Sequence, residues 1–147
     1  MDQTLADAIL TTAADAILLA DPDGIIRFWN PGAARIFGFS TEEAVGRSLD
    51  IIIPENLRAR HNDGYAQTMR TGETRYGSGD ILAVPALTKD GRRISVEFTI
   101  VLLHGDGGKV SGIAAILRDV TDRFQELRTL RRRLAELSAA GPKTVPG

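Results

Sequence analysis

One of the chain's two histidines, His61, lies in the stretch IIPENLRARHNDGY, residues 52–65. An imidazole is a common nitrogen ligand for metals and the side chain that most readily changes charge near neutral pH. Leu57, His61, Tyr65, Thr68 and Met69 recur at helical spacing, which puts His61 on the inward stripe of a helix. There the ring must either find a hydrogen-bond partner or bind something. The plainer alternative is a core histidine with a satisfied ring nitrogen.

Other chemistry has little to stand on. The chain has no cysteine, so it offers no thiol nucleophile, thiolate ligand or disulfide. It contains no GxSxG, P-loop or HExxH motif. His104 sits in a polar glycine turn, HGDGG, and reads as exposed and inert. Two separated histidines do not make a zinc site. Glu42-Glu43 reads as a pair of helix-start charges rather than a catalytic dyad.

The elements around His61 follow from local chemistry. Residues 3–14 read as a short amphipathic helix with Leu5, Ile9 and Leu10 on one side. Ala16 to Ala20 and Ile25 to Trp29 read as strands joined by the turn Asp21-Pro22-Asp23-Gly24. Asn30-Pro31 is an N-cap followed by a first-turn proline, and Ser40-Thr41-Glu42-Glu43 is a capping box. Pro54 suits the first position of the His61 helix, which ends near Thr71-Gly72. Ile81 to Leu87 then reaches a hairpin signal at Lys89-Asp90-Gly91. Ile94, Val96, Phe98 and Ile100 alternate with Arg93, Ser95, Glu97 and Thr99, the pattern of a half-buried antiparallel strand. A last strand runs from Val110 to Arg118. Beyond Thr121, Leu127, Leu130, Leu134 and Leu137 are spaced 3, 4 and 3, a heptad seam.

This order predicts an α+β domain: a five-stranded antiparallel sheet with short helices that leave a ligand cleft, flanked by N- and C-terminal helices. The expected divisions are residues 1–14 as a flanking helix, 15–120 as the domain, 121–138 as a coiled-coil helix and 139–147 as a disordered tail. The 147 residues fit one such domain with a short appendage. A formal net charge of −1 suggests neither nucleic acid nor an anionic membrane as partner. The apolar runs AILLA and IAAIL are too short to span a bilayer, and no basic region opens the chain. A cytoplasmic protein is the expectation.

The landmarks ADPDGIIRFWNPGAARIFGFSTEEAVGRS, TKDGRRISVEF and AAILRDVTDR resemble those of PAS domains over roughly Asp15 to Arg123. Within them, Ile53, Pro54, Arg58, His61 and Tyr65 resemble the helix start of heme-binding PAS sensors, the FixL-type oxygen-sensing kinases and heme-regulated phosphodiesterases. The tyrosine stands one residue later than in that pattern. The resemblance implies heme b with His61 as iron ligand. It implies an apolar slot lined by Leu57, Met69, Ile81, Leu82, Phe98, Ile100 and Ile116, residues that equally suit a core. Arg70, Arg75 and Tyr76 fall where the family places partners for the propionates. Counted back from Asp90-Gly91, Leu82 falls where the kinases carry a distal arginine, and Asp80 where the phosphodiesterases carry a ligating methionine. The site departs from both patterns on the distal side.

The function this implies is a dimeric sensor module that binds O2, CO or NO at an open iron position. The alternatives are a small heme enzyme acting on peroxide or nitrogen oxides, a flavin (FAD or FMN) protein using Trp29 and Asn30, and a cofactor-free dimerisation module.

Overall fold

A computed structural model of the chain describes residues 3–74 and 82–140. Its elements in chain order are α1 (Leu5–Leu10), β1 (Ala16–Ala20), β2 (Ile26–Trp29), α2 (Pro31–Phe37), α3 (Thr41–Ala44), α4 (Arg58–Thr71), β3 (Leu82–Leu87), β4 (Arg93–His104), β5 (Val110–Asp119) and α5 (Thr121–Ala140). Two 3-10 turns, Leu49–Ile52 and Glu55–Leu57, lie between α3 and α4. The strands form one antiparallel sheet in the order β2-β1-β5-β4-β3.

The first hairpin closes as its residues dictate. The Asp21 carboxylate accepts from the N–H groups of Asp23 at 2.9 Å and Ile25 at 3.0 Å, and its other oxygen meets Arg27 Nε at 2.8 Å. Gly24 takes φ 78°, open to glycine at little cost. The hairpin leads into Asn30, whose side chain is buried and fully bonded. Its Oδ1 accepts from Ala33 N–H, capping α2, and from Ile17 N–H, both at 2.8 Å. Its Nδ2 donates to the carbonyls of Thr12 and Asp15, both at 3.0 Å. Gly32 follows because a Cβ there would stand 1.9 Å from the Asp15 carbonyl oxygen.

The core gathers on one face of the sheet. Ala16, Leu18 and Ala20 of β1, Ala115 and Leu117 of β5, and Ile94 and Val96 of β4 pack against Trp29, Ile36, Phe37, Phe39, Leu49 and Ile52. Trp29 donates its indole N–H to the Phe39 carbonyl at 3.0 Å and lies 5.5 Å from the Phe37 ring. Trp29 and Asn30 therefore have their polar groups committed inside the protein, which corrects the expectation that they could hold an isoalloxazine.

The second hairpin is tied to the helical layer. Lys89 N–H donates to the Phe37 carbonyl at 2.8 Å, and its ammonium meets Glu43. Glu43 also completes the capping box, accepting from Ser40 N–H at 2.9 Å while Ser40 Oγ accepts from Glu43 N–H at 3.1 Å. At the far end, Val120 N–H donates to the Ser95 carbonyl at 2.8 Å and Ser95 N–H to Thr121 Oγ1 at 3.0 Å, fixing the start of α5 against β4.

Three boundaries differ from expectation by more than one residue. Helix α1 covers only Leu5–Leu10. Pro54 does not open the His61 helix: it stands before the Glu55–Leu57 turn, and α4 starts at Arg58. Proline forces the preceding Ile53 into extended backbone, and one tight turn intervenes before the chain can continue as α-helix. Helix α5 continues through Ala140, beyond the expected end at 138.

Two measurements check this account. Asn30→Asp keeps the cap oxygen but turns a donating amide into an acceptor facing two carbonyls. It should destabilise the fold by about 3 kcal/mol in urea unfolding, more so as pH rises from 4 to 8 and the new carboxyl must ionise. Glu43 is held at a pKa of about 2, against 4.5 ordinarily, by Lys89 first and then by Ser40 N–H. A depressed carboxylate stabilises above the unfolded value and loses that effect as pH falls through the folded one. The stability advantage of the native chain over Glu43→Gln should thus be complete above pH 4.5 and vanish toward pH 2.

Candidate functional site: the inward stripe of α4

Helix α4 lies over the sheet without burying any residue. Arg58, His61, Tyr65, Thr68 and Met69 are half-buried, and the remaining residues of the helix are exposed. The half-buried positions repeat at three and four residues, so they form one inward stripe. Gly72 ends the helix at φ 72° and returns its N–H to the Thr68 carbonyl at 2.9 Å.

The sheet beneath shows the complementary pattern. On the inner side of β4, Ile94 and Val96 are buried, while Phe98, Ile100 and Leu102 are only half-buried. Phe98 and Ile100 border the core, as do Ile51, Ile53 and Tyr65. Helix α4 and the far half of β4 thus bury their apolar residues less completely than α2 and the near half of β4 do. The cavities of about 480 and 460 Å³ lie elsewhere, one beside Arg118 to Arg123 and one between Phe37 and Lys89.

His61 and Tyr65 hold different positions on the stripe. Their rings are 6.0 Å apart at 32°. The Tyr65 hydroxyl donates to the Asp21 carbonyl and so pins α4 to the β1–β2 turn. The Tyr65 ring lies beside Gly24, within van der Waals reach of where a Cβ would stand, 3.9 Å away. Burial first, and then the charges of Asp21 and Asp23, push the Tyr65 hydroxyl up to about 12. His61 has no such commitment. Its Nδ1 lies 3.5 Å from Asn62 Oδ1, at the outer limit of a hydrogen bond, and no tighter one reaches the ring among the described residues. The imidazole therefore keeps a lone pair available to a ligand.

The other expected site residues are placed variously. Leu57, Met69, Phe98 and Ile100 all stand half-buried, on the turn before α4, on α4 and on β4. Arg70 is exposed on α4, one position past Met69. Ile116 is a correction: it pairs with Ile17 and Thr99, is 38% exposed, and lies on the opposite face from Ala115 and Leu117. Side chains alternate along a strand, so Ile116 points away from the side on which its two neighbours face the core. Arg75, Tyr76, Asp80 and Ile81 lie outside the described residues. Leu82 pairs in register with Phe98.

Sequence reasoning missed several residues. Ile51 received no role from the sequence and Ile53 entered only through the resemblance; packing shows both half-buried against the core. Asp21 reads as a turn residue, and nothing local shows that its carbonyl receives a tyrosine 44 positions later. The arginine of the RARH stretch that matters locally is Arg58, whose Nε closes the preceding turn on the Ile53 carbonyl at 3.0 Å.

Among the described residues no group of three or more potential metal ligands comes together, so the donor set here is a single imidazole. That suits a metal already held by a macrocycle rather than a free ion.

Comparison with known proteins agrees with this architecture. The PAS fold family profile matches residues 4–120. The chain is 31% identical over 145 residues to the sensor protein FixL of Bradyrhizobium diazoefficiens, covering 95% of this chain and 28% of that protein. It is 30% identical over 106 residues to the oxygen sensor protein DosP of Escherichia coli, covering 72% of this chain and 13% of that protein. The crystal structure of the PAS domain of a protein from Colwellia psychrerythraea matches with a TM-score of 0.67 at 24% identity, over 80% of this chain and 94% of that one. The chain spans under a third of the length of these curated relatives. Profile, sequence relatives and strand order agree, and the protein belongs to the PAS fold family, related to the FixL and DosP sensors.

Proposed function

We propose that this chain is a cytoplasmic, heme-b-binding sensor module that takes a diatomic gas, O2, CO or NO, with His61 as the iron ligand. One observation carries the reading: the His61 imidazole is half-buried on the inward stripe of α4 and has no committed partner among the described residues. The names of two relatives, a sensor protein and an oxygen sensor protein, support it. When bound, ferrous heme supplies an open coordination position for a small gas.

The chain's own residues supply the rest. Phe98, Ile100, Leu57 and Met69 give the apolar surface that excludes water from a macrocycle. His61 coordinates through one ring nitrogen, and the other N–H needs an acceptor to fix the tautomer, for which Asn62 Oδ1 is in place after a small adjustment. Tyr65 sets the height of α4 over the sheet through Asp21. Arg70 is exposed at the end of the stripe, where it can meet a propionate in water. No described helix is long and apolar enough to cross a membrane. Exposed Leu5 and Ile9 on α1, and the leucines of α5, are the surfaces by which the module pairs as a homodimer.

The protein purified with heme, or reconstituted with hemin, should show a Soret band at one heme per chain. His61→Ala should lose that stoichiometric binding or recover it only with added imidazole, its urea midpoint staying near that of the native apoprotein. Unchanged heme content and spectrum in His61→Ala would sink the assignment. Tyr65→Phe should keep the heme but destabilise the fold by about 1 kcal/mol. A raised folded pKa means a contribution present below the unfolded value of 10 and lost toward 12. The gap between the native chain and Tyr65→Phe should therefore close between pH 10 and 12.

A further inference from the structure

Helix α5 leaves the domain after its first turn. Val120 and Thr121 bond to Ser95 of β4, and Arg123 meets Glu97 at 3.9 Å. Beyond Arg123, no hydrogen bond or ion pair among the described residues ties the helix back to the sheet. From Asp122 to Ala139 every residue except Thr129 is exposed.

The charges of this exposed helix are segregated. At 3.6 residues per turn, Arg128, Arg131 and Arg132 fall within about a third of its circumference. All three acidic residues, Asp122, Glu126 and Glu136, fall outside that arc, on the side of Arg133. The leucine seam fills the remaining side, so Arg128 and Arg132 point away from it. Three and four positions either way, Arg128 meets Phe124, Gln125, Arg131 and Arg132, with no acid among them. Arg131 likewise has none. Like charges at these spacings repel and weaken a helix. Only Arg132 has an acid one turn on, Glu136, and no ion pair among the described residues includes any of the three arginines. A partner carrying repeated negative charge relieves this repulsion.

The residues between the arginines select the kind of partner. A protein interface has an apolar centre, and apart from Phe124 this face offers only Gln125, Ala135 and Ala139. An amphipathic helix on a membrane sinks its apolar side and meets headgroups with flanking cations, whereas Arg128 and Arg132 stand on the side turned from the leucines. A phosphate backbone needs no apolar anchor. Guanidiniums take phosphate oxygens in pairs, and such interfaces are polar and strongly basic.

We propose that the Arg128, Arg131 and Arg132 face of α5 docks on the phosphate backbone of duplex nucleic acid, without sequence preference. The formal net charge of −1 hides this face, because it averages the basic helix with an acidic remainder. The docking is independent of what the His61 stripe holds and of whether the leucine seam is paired.

The test is the fluorescence anisotropy of a short labelled DNA duplex titrated with the full chain from about 50 to 200 mM salt. Binding should weaken with salt, and Arg128→Gln and Arg131→Gln should each lower the slope of log affinity against log salt by about 0.9 per bound chain. The triple Arg128→Gln, Arg131→Gln, Arg132→Gln chain should lose at least about tenfold in affinity at about 50 mM salt, with its helical circular dichroism unchanged. Arg133→Gln, off the face, should leave the slope as it is. No binding at the lowest salt, or a triple variant that binds as the native chain does, would overturn the proposal. So would a slope that falls as much with Arg133→Gln. Equal affinity for poly-glutamate at matched charge would assign the face to an acidic protein instead, and stronger capture by phosphatidylserine vesicles would assign it to a lipid surface.

Discussion

The buried side-chain amide of Asn30 holds three stretches of chain in one place, with both donors and both acceptor sites in use. It caps α2, fixes the start of β1 through Ile17, and pins the segment after α1 through Thr12 and Asp15. Each of these groups would otherwise be a polar atom in or near the core without a partner. The amide works only if α2 begins immediately after β2, which Pro31 favours, and if the backbone can approach at Gly32. Trp29, one residue earlier, then fills the space between β1 and α2 and bonds the Phe39 carbonyl. The dense half of the domain follows from this short run of residues.

The other half is built differently. Helix α4 has no buried residue, and its hydrogen bonds to the rest of the described chain are directional: Arg58 to the Ile53 carbonyl and Tyr65 to the Asp21 carbonyl, while Gly72 closes its end on its own Thr68. A helix held in this way depends less on close packing along its length. The half-buried state of His61, Met69, Phe98 and Ile100 is the result. The dense half carries the stability that lets this half stay open.

Strand β4 connects the two regions. Its inner side carries the half-buried Phe98 and Ile100, while Ser95 and Glu97 hold the first turn of α5. The half-buried edge of the core and the anchor of the outgoing helix are thus neighbouring residues of one strand. The β3–β4 hairpin braces the opposite end, through Lys89 on Phe37 and Glu43.

By itself the sequence determined whatever depends on near neighbours. The Asp21 turn, the Asn30 and Ser40 caps, the alternation from Arg93 to Ile100 and the stripe of His61, Tyr65 and Met69 all follow from residues within a few positions of one another. So does the family, since its landmarks are local. Tertiary structure decided what depends on distant contacts. The face of β5 was not legible, because AAIL is apolar on both sides and carries no alternation, so Ile116 read as inward until pairing with β1 and β4 fixed the parity. The start of α4 was set by the extended residue before Pro54 and the turn it forces. The role of Tyr65 was decided by a carbonyl 44 residues away, and that of Trp29 and Asn30 by burial that uses up their polar atoms. Periodicity shows that a residue points inward; only the packed chain shows whether it finds a firm hydrogen bond there, as Tyr65 does, or only a marginal one, as His61 does.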